Sequence, residues 1–435
     1  MNKVNKLGCI QLVKRYIPLG VKARIRQILN FLQVLYAKFA QSLVLARIRR
    51  KLRDGNEPIK VVFLVSEISK WKCQSLYDLM KAHPRFEPVI GIFMQDEGFE
   101  SKDAAIIRAG MERAKQFFDK RGCKVVELYD SEKLQPKDLQ VEKPDIIFYQ
   151  QPWNIILDMS PMAAAKYAIT CYVSYYVPNY HDPSLSYSLL FHRYLKYNFI
   201  LNGGELSYAS SIRRFWNIYA GHMVVVGHPM LDEFYLNPPN PALWKCVIYA
   251  PHFTFKHPNN PVLVHYSTFL DNGPAILKYA QAHPEMNWVF KPHPRLKIAL
   301  RMPGIWSEHE IDDYYGAWAK IGRVCEDGDY MKLFREARAM ITDCGSFLSE
   351  FAVTKQPIIH LINPENNLAK PELFDTYYKV HNQEELKATL KRVLEDGDDY
   401  NMAERLQALE KANLTGTYAA KNIMDFFAKE FRIKE

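Results

Sequence analysis

From residue 58 onward, short apolar runs alternate with longer stretches whose apolar positions recur at helical spacing. The runs Ile59–Val65, Val89–Met94, Lys124–Leu128, Asp145–Gln150, Ile169–Val177, Phe199–Asn202 and Met223–Val226 each predict a strand. A proline-rich break, Asn237–Pro241, reads as a linker. A second series follows: Lys245–Ala250, Asn287–Phe290, Arg323–Cys325, Ala339–Thr342, Pro357–Leu361 and Tyr377–Val380. From Asn382 the chain turns helical and charged. Strands alternating with helices imply βαβ units and parallel sheets. The pattern therefore predicts an α/β protein with two Rossmann-like domains, 58–236 and 242–395, and C-terminal helices over 396–435. Two such sheets joined by a stiff linker leave a cleft between their strand ends, a usual place for a ligand.

The first 57 residues follow a different rule. From Ile25 to Ala46 the segment is apolar, interrupted at Gln27, Asn30, Gln33, Lys38 and Gln41, a spacing that places the interruptions near one face of a helix. A lysine and several amides inside the window argue against a membrane span, which needs about 20 predominantly apolar residues. The segment lacks the small-residue cleavage site of a signal peptide. Lys14, Arg15, Lys22, Arg24 and Arg26 flank it on one side, and Arg47, Arg49, Arg50, Lys51 and Arg53 on the other. An apolar stripe with basic flanks suits a helix lying in an anionic membrane surface, where each Lys or Arg contributes about 1 kcal/mol. A solvated or inter-subunit helix, or a nucleic-acid contact, would use the same residues. No nucleic-acid recognition motif accompanies them, so nucleic acid is not an expected partner.

Charge sharpens this division. The net charge of +9 is concentrated in residues 1–60, where fourteen Lys and Arg face two acidic residues, while the remainder of the chain is slightly acidic. A hydrophobic share of 48% and a charged share of 24% belong to a folded globular protein. The seven cysteines are scattered, without a CxxC pair or a zinc-like cluster, and read as reduced core thiols.

The candidate chemistry lies at two strand ends. Trp288–Phe290 stops in Lys291-Pro292-His293-Pro294-Arg295, and Ala339–Thr342 stops in Asp343-Cys344-Gly345-Ser346 before an apolar stretch containing Glu350. In open parallel sheets ligands bind beyond the carboxyl ends of the strands. Cations at one end and a helix N-terminus at another suit a phosphorylated ligand. Lys291, His293 and Arg295 are expected to hold a diphosphate, with Ser346 and the Gly345 backbone on a phosphate oxygen. Asp343 could join that site or simply form a turn. His252, after the strand ending at Ala250, is expected to line the cleft. A proton acceptor is expected at His181, in a Tyr/Pro/Asn-rich loop after the strand Ile169–Val177; His192 is the alternative. With no Asp-x-Asp and no carboxylate cluster, neither a bound metal nor another cofactor is expected.

The ordered set Val225-Val226-Gly227-His228-Pro229-Met230-Leu231-Asp232, Ile248-Tyr249-Ala250-Pro251-His252, Lys291-Pro292-His293-Pro294, Asp329-Tyr330 and Ile341-Thr342-Asp343-Cys344-Gly345-Ser346 resembles the CDP-glycerol glycerophosphotransferase family of teichoic-acid and capsule synthesis. The resemblance spans about residues 140–395. It implies a GT-B architecture, two facing Rossmann-like domains. It also implies transfer of an alkyl phosphate from a CDP-activated donor to a membrane-linked or polymeric hydroxyl acceptor at the cytoplasmic membrane face. The family's acidic residue falls on Glu350, implying a ribose contact. The family's Asp-Tyr-Ser-Ser is here Asp343-Cys344-Gly345-Ser346, and its Trp-His-Gly segment is replaced by Tyr175–His181, closer to a divergent branch. A nucleotide-sugar glycosyltransferase and a non-catalytic nucleotide-binding scaffold remain the alternatives on the same fold.

Overall fold

A computed structural model describes residues 19–55, 57–95, 98–99, 102–177, 189–201, 223–237, 245–258, 264–326, 330–366, 372–412, 414 and 418–433. His181, most of the proline-rich break and Asp329 lie outside the described residues.

All thirteen apolar runs form strands. β1 (Ile59–Val65), β2 (Phe86–Ile92) and β3 (Val125–Glu127) open the chain, followed by a two-stranded hairpin of β4 (Tyr129–Asp130) and β5 (Gln135–Pro136). β6 (Ile146–Tyr149), β7 (Ile169–Val173), β8 (Tyr197–Ile200) and β9 (Met223–Val225) complete a seven-stranded sheet ordered β3-β2-β1-β6-β7-β8-β9. The second series gives β10 (Cys246–Ala250), β11 (Trp288–Phe290), β12 (Gly322–Val324), β13 (Ala337–Thr342), β14 (Ile358–Leu361) and β15 (Tyr378–Val380), ordered β12-β11-β10-β13-β14-β15. Neighbours in both large sheets run parallel. The central strands are buried along nearly their whole length because helices cover both faces, which is why they read as continuous apolar runs. At the β11–β12 edge Gly322 is required by close approach: a Cβ there would stand 2.2 Å from the Trp288 carbonyl oxygen.

Each sheet reverses its order once, between β1 and β6 in the first and between β10 and β13 in the second. These are the two switch points, and their carboxyl ends open into one cleft of about 1420 Å³.

The N-terminal segment is one helix, Leu19–Asp54, and its orientation departs from the expected one. Val34, Ala37, Ala40, Gln41, Val44, Leu45 and Ile48 are buried against the body, while Ile25, Ile28, Leu32, Leu35, Phe39 and Leu43 face outward. Gln41, expected on a polar solvent face, is 1% exposed; its Nε2 donates to the Tyr194 carbonyl at 2.9 Å and its Oε1 accepts the Thr170 N–H at 3.0 Å. Arg47 and Lys51 pair with Asp145 at 3.3 and 2.9 Å, and Arg49 with Glu430 at 3.4 Å. The second half of this helix thus belongs to the first domain's core and is not a separable arm. The last helix, Ala419–Phe431, also returns to this domain, packing Ala420, Ile423, Phe427 and Phe431 with the strands of the first sheet.

Candidate active site

The second sheet's switch point gathers the residues picked out at its strand ends. His252 follows β10, Lys291–Arg295 follow β11, and Cys344–Ser346 follow β13; all of these line the cleft. Asp343 does not, and its role is internal. Its Oδ1 accepts the His252 N–H at 2.6 Å, and its Oδ2 accepts the Thr268 N–H at 2.6 Å and the Thr268 hydroxyl at 3.0 Å. Burial raises its pKa to about 6 against those bonds. A phosphate would be repelled there; Asp343 instead braces the loop that carries His252.

Two imidazoles share the cleft floor. The rings of His252 and His293 lie 4.9 Å apart, with Phe253 4.4 Å from His293. His293 Nδ1 accepts the Arg295 N–H at 3.1 Å; His252 Nδ1 takes the Thr254 N–H at 3.3 Å and lies 2.8 Å from the Thr254 hydroxyl. With Nδ1 occupied as an acceptor, the proton of each neutral ring belongs on Nε2, where it is available as a donor. Burial lowers the His252 pKa to about 3. The His293 pKa falls well below the ordinary value, first through burial and then through His252, Arg295, Lys70 and Lys291. His293, expected as a cation, is therefore a neutral N–H donor, and an anion bound beside it would favour its protonation.

Lysines and arginines supply the positive charge. Lys291 is buried, with Nζ 5.4 Å from the Tyr330 ring centroid; Arg295, more exposed, lies 5.3 Å from that of Phe253. Among the described residues lining the cleft, eight are Lys or Arg and four are Glu, which favours an anionic ligand. Ser346 is half-buried at the start of the helix Gly345–Glu350, its Oγ 3.6 Å from the Cys344 sulfur. The Cys344 thiol is pushed up to about 11 by burial and stays protonated.

Glu350, on which the resemblance places a ribose contact, lines the cleft and has a partner within the protein. It is 1% exposed and accepts the Tyr330 hydroxyl, while Lys72, from the loop after β1, donates to that same hydroxyl at 2.6 Å. Burial raises the Glu350 pKa and the nearby Lys72 ammonium opposes the rise. The Lys72–Tyr330–Glu350 chain ties the two domains together beneath the cleft. Lys72 was missed from sequence: it stands seven residues beyond the end of β1, past the turn Ile68–Lys70, whereas Lys291 directly follows β11.

His192 and His228 have structural roles. His192 is buried, its Nδ1 2.7 Å from Asn198 Oδ1 and its ring 4.8 Å from Tyr172, and does not line the cleft. His228 caps the helix Pro229–Leu236 through Nδ1 and bonds the Ser174 carbonyl through Nε2 at 2.8 Å. Among the described residues no group of three or more His, Cys, Asp or Glu is placed to hold a metal ion.

No protein-family model matches the chain, and no curated protein matches it in sequence. Solved structures match its fold across both domains. The wall teichoic acid polymerase TagF aligns at 12% identity with a TM-score of 0.54, over 93% of this chain and 98% of that one. The UDP-GlcNAc 2-epimerase of Neisseria meningitidis, bound to UDP-GlcNAc, aligns at 12% identity and TM-score 0.52, over 86% and 100%. The S. aureus MnaA–UDP structure aligns at 14% identity and TM-score 0.51, over 86% and 98%. The architecture is accordingly GT-B-like, and its neighbours include transferase and epimerase structures solved with nucleotide ligands.

Proposed function

We propose that this chain is a membrane-associated transferase that moves glycerol phosphate, or a similar polyol phosphate, from a CDP-activated donor to an acceptor hydroxyl during synthesis of a surface polymer. The observation that carries this reading is the convergence of two imidazole Nε2–H donors, Lys291 and the Gly345–Ser346 helix start at one switch point facing the cleft. Such a set is preorganised for the charge that develops on a departing nucleoside phosphate. The acceptor oxygen attacks the phosphorus bearing the polyol, the bridging P–O bond breaks, and CMP leaves. His252 and His293 donate to phosphoryl oxygens, Lys291 offsets the charge, and the acceptor's proton passes to His181. The ordered motifs, together with a fold shared with the teichoic acid polymerase, support this choice of chemistry. The second reading, a nucleotide-sugar enzyme, is favoured by the fold shared with the UDP-binding epimerases.

The outward apolar face of the helix Leu19–Asp54 supports attachment to the cytoplasmic membrane face. By length and composition this helix could cross a bilayer. Its docked inner face and its ion pairs to Asp145 and Glu430 favour a helix lying along the surface instead.

The test is release of CMP or UDP from CDP-glycerol, CDP-ribitol and a UDP-sugar by wild type and by His293→Ala. Turnover of a CDP-polyol, reduced roughly 10²–10³-fold in the variant, is expected for loss of one charge-stabilising donor. Turnover of the UDP-sugar alone would select the second reading, and binding without turnover would make the chain a scaffold.

A further inference from the structure

The first sheet's switch point carries a different chemistry. Glu67–Lys70 follow β1 and Trp153 follows β6, the two strands that bracket the reversal, while Tyr175 and Tyr176 follow β7 next door. All are half-buried and line the same cleft as His252 and His293. The Trp153 and Tyr175 rings meet at 5.5 Å and 83°, and Tyr176 stands 4.9 Å from Tyr175. Lys70 Nζ lies 5.5 Å from the Trp153 ring and 5.6 Å from that of Tyr175, and it is paired with Glu67, which also accepts the Ser69 hydroxyl.

We propose that this corner is the acceptor subsite and binds a neutral sugar ring, its apolar C–H face on Trp153 or Tyr175 and its hydroxyls against Glu67 and Lys70. The inference rests on the transferase reading above for the word acceptor, and on geometry for the ligand class. Rings that only filled a core would be covered, whereas these face the cleft. A flat base held between rings needs parallel faces; rings at 83° offer one face and one edge, which suits a puckered ring with a hydrophobic side and a polar rim. Lys70 is neutralised by Glu67, so an anion gains little here. A hydroxyl, which both donates and accepts, finds a carboxylate and an ammonium side by side. The position also places a sugar hydroxyl in the cleft that holds the anion site on the opposite wall.

Saturation-transfer NMR on the full-length protein tests this with cellobiose, maltose and chitobiose as probes and CMP in parallel. Saturation of the sugar C–H protons is expected in wild type. Trp153→Ala should weaken the bound disaccharide about tenfold, the equivalent of one stacked ring, with Trp153→Phe recovering most of it. CMP binding should be unchanged in both. If Trp153→Ala does not fold, as judged by circular dichroism, Tyr175→Ala carries the same expectation. CMP binding without any disaccharide binding in wild type overturns the inference and leaves the transferase reading standing. A Trp153→Ala that loses CMP rather than sugar makes the corner a base platform and overturns it equally. Disaccharide binding without CMP binding would keep the sugar site and sink the transferase reading.

Discussion

His192 lies beneath the first sheet's cover, bonded to Asn198 and edge-on to Tyr172, and burial lowers its pKa to about 4. Between that value and the ordinary one of about 6.5, an unfolded chain binds a proton that the folded chain refuses. The stability His192 contributes is therefore complete above pH 6.5 and is lost as pH falls toward 4. His228 acts in the same direction; Asp343, raised to about 6, acts in the opposite one, because the folded state holds its proton longer. Comparing His192→Gln with wild type isolates one term. Urea denaturation should show the variant losing stability less steeply between pH 6.5 and 4.5, by up to about 1.4 kcal/mol per pH unit. Parallel curves would mean that the folded imidazole already carries a proton. Residues of the candidate site divide in the same way by how far their cause lies along the chain. Lys291, His293, Arg295 and Ser346 were legible because a strand end followed by polar residues is a local pattern. The Lys72–Tyr330 bond was not, because its partners stand 258 positions apart and meet only when two sheets face each other. Asp343 was legible as a strand end but not as a brace, since its partners, His252 and Thr268, come from other segments.

The helix Leu19–Asp54 shows the same limit among elements. Its existence followed from its apolar spacing, yet it has two apolar faces, and the sequence could not say which one meets the body. Removing residues 1–54 would strip Val34, Val44, Leu45 and Ile48 from the core, each worth about 1.5–3 kcal/mol when buried. That sum is comparable with the whole stability of an ordinary domain, about 5–15 kcal/mol. Deletion of residues 1–54 should therefore give aggregated protein, whereas deletion of residues 1–33 should fold. In vesicle sedimentation, wild type should pellet with anionic vesicles and keep part of its binding at 1 M salt, where the Debye length is about 3 Å. The 1–33 deletion, and a full-length variant with Ile28, Leu32, Leu35 and Phe39 changed to Ser, should stay in the supernatant. Equal pelleting of all three would show that this face is not the anchor.

For the molecule as a whole, the thirteen runs yielded both sheets because buried parallel strands declare themselves as continuous apolar segments. The register irregularity between Cys246 and Val247 and the destination of the last helix were not legible, being settled by packing across the chain. That helix does more than finish the chain. Both Asp232 carboxylate oxygens accept its first N–H groups, from Ala419 and Ala420, at 2.8 Å each, and Asn422 bonds the Val226 carbonyl at 2.8 Å. The second sheet is thus an insertion within the first lobe's fold, entered after Leu236 and left before Ala419, with two crossings in place of a single tether. A protease site engineered between Pro238 and Trp244 should accordingly give two fragments that co-elute on size exclusion, and also removing residues 415–435 should let them part. With the last helix bonded to Asp232 on one side of the seam and Lys72 bonded to Tyr330 on the other, the two walls of the cleft are held to each other at separate points, so a change in one lobe's packing is felt at the other's face.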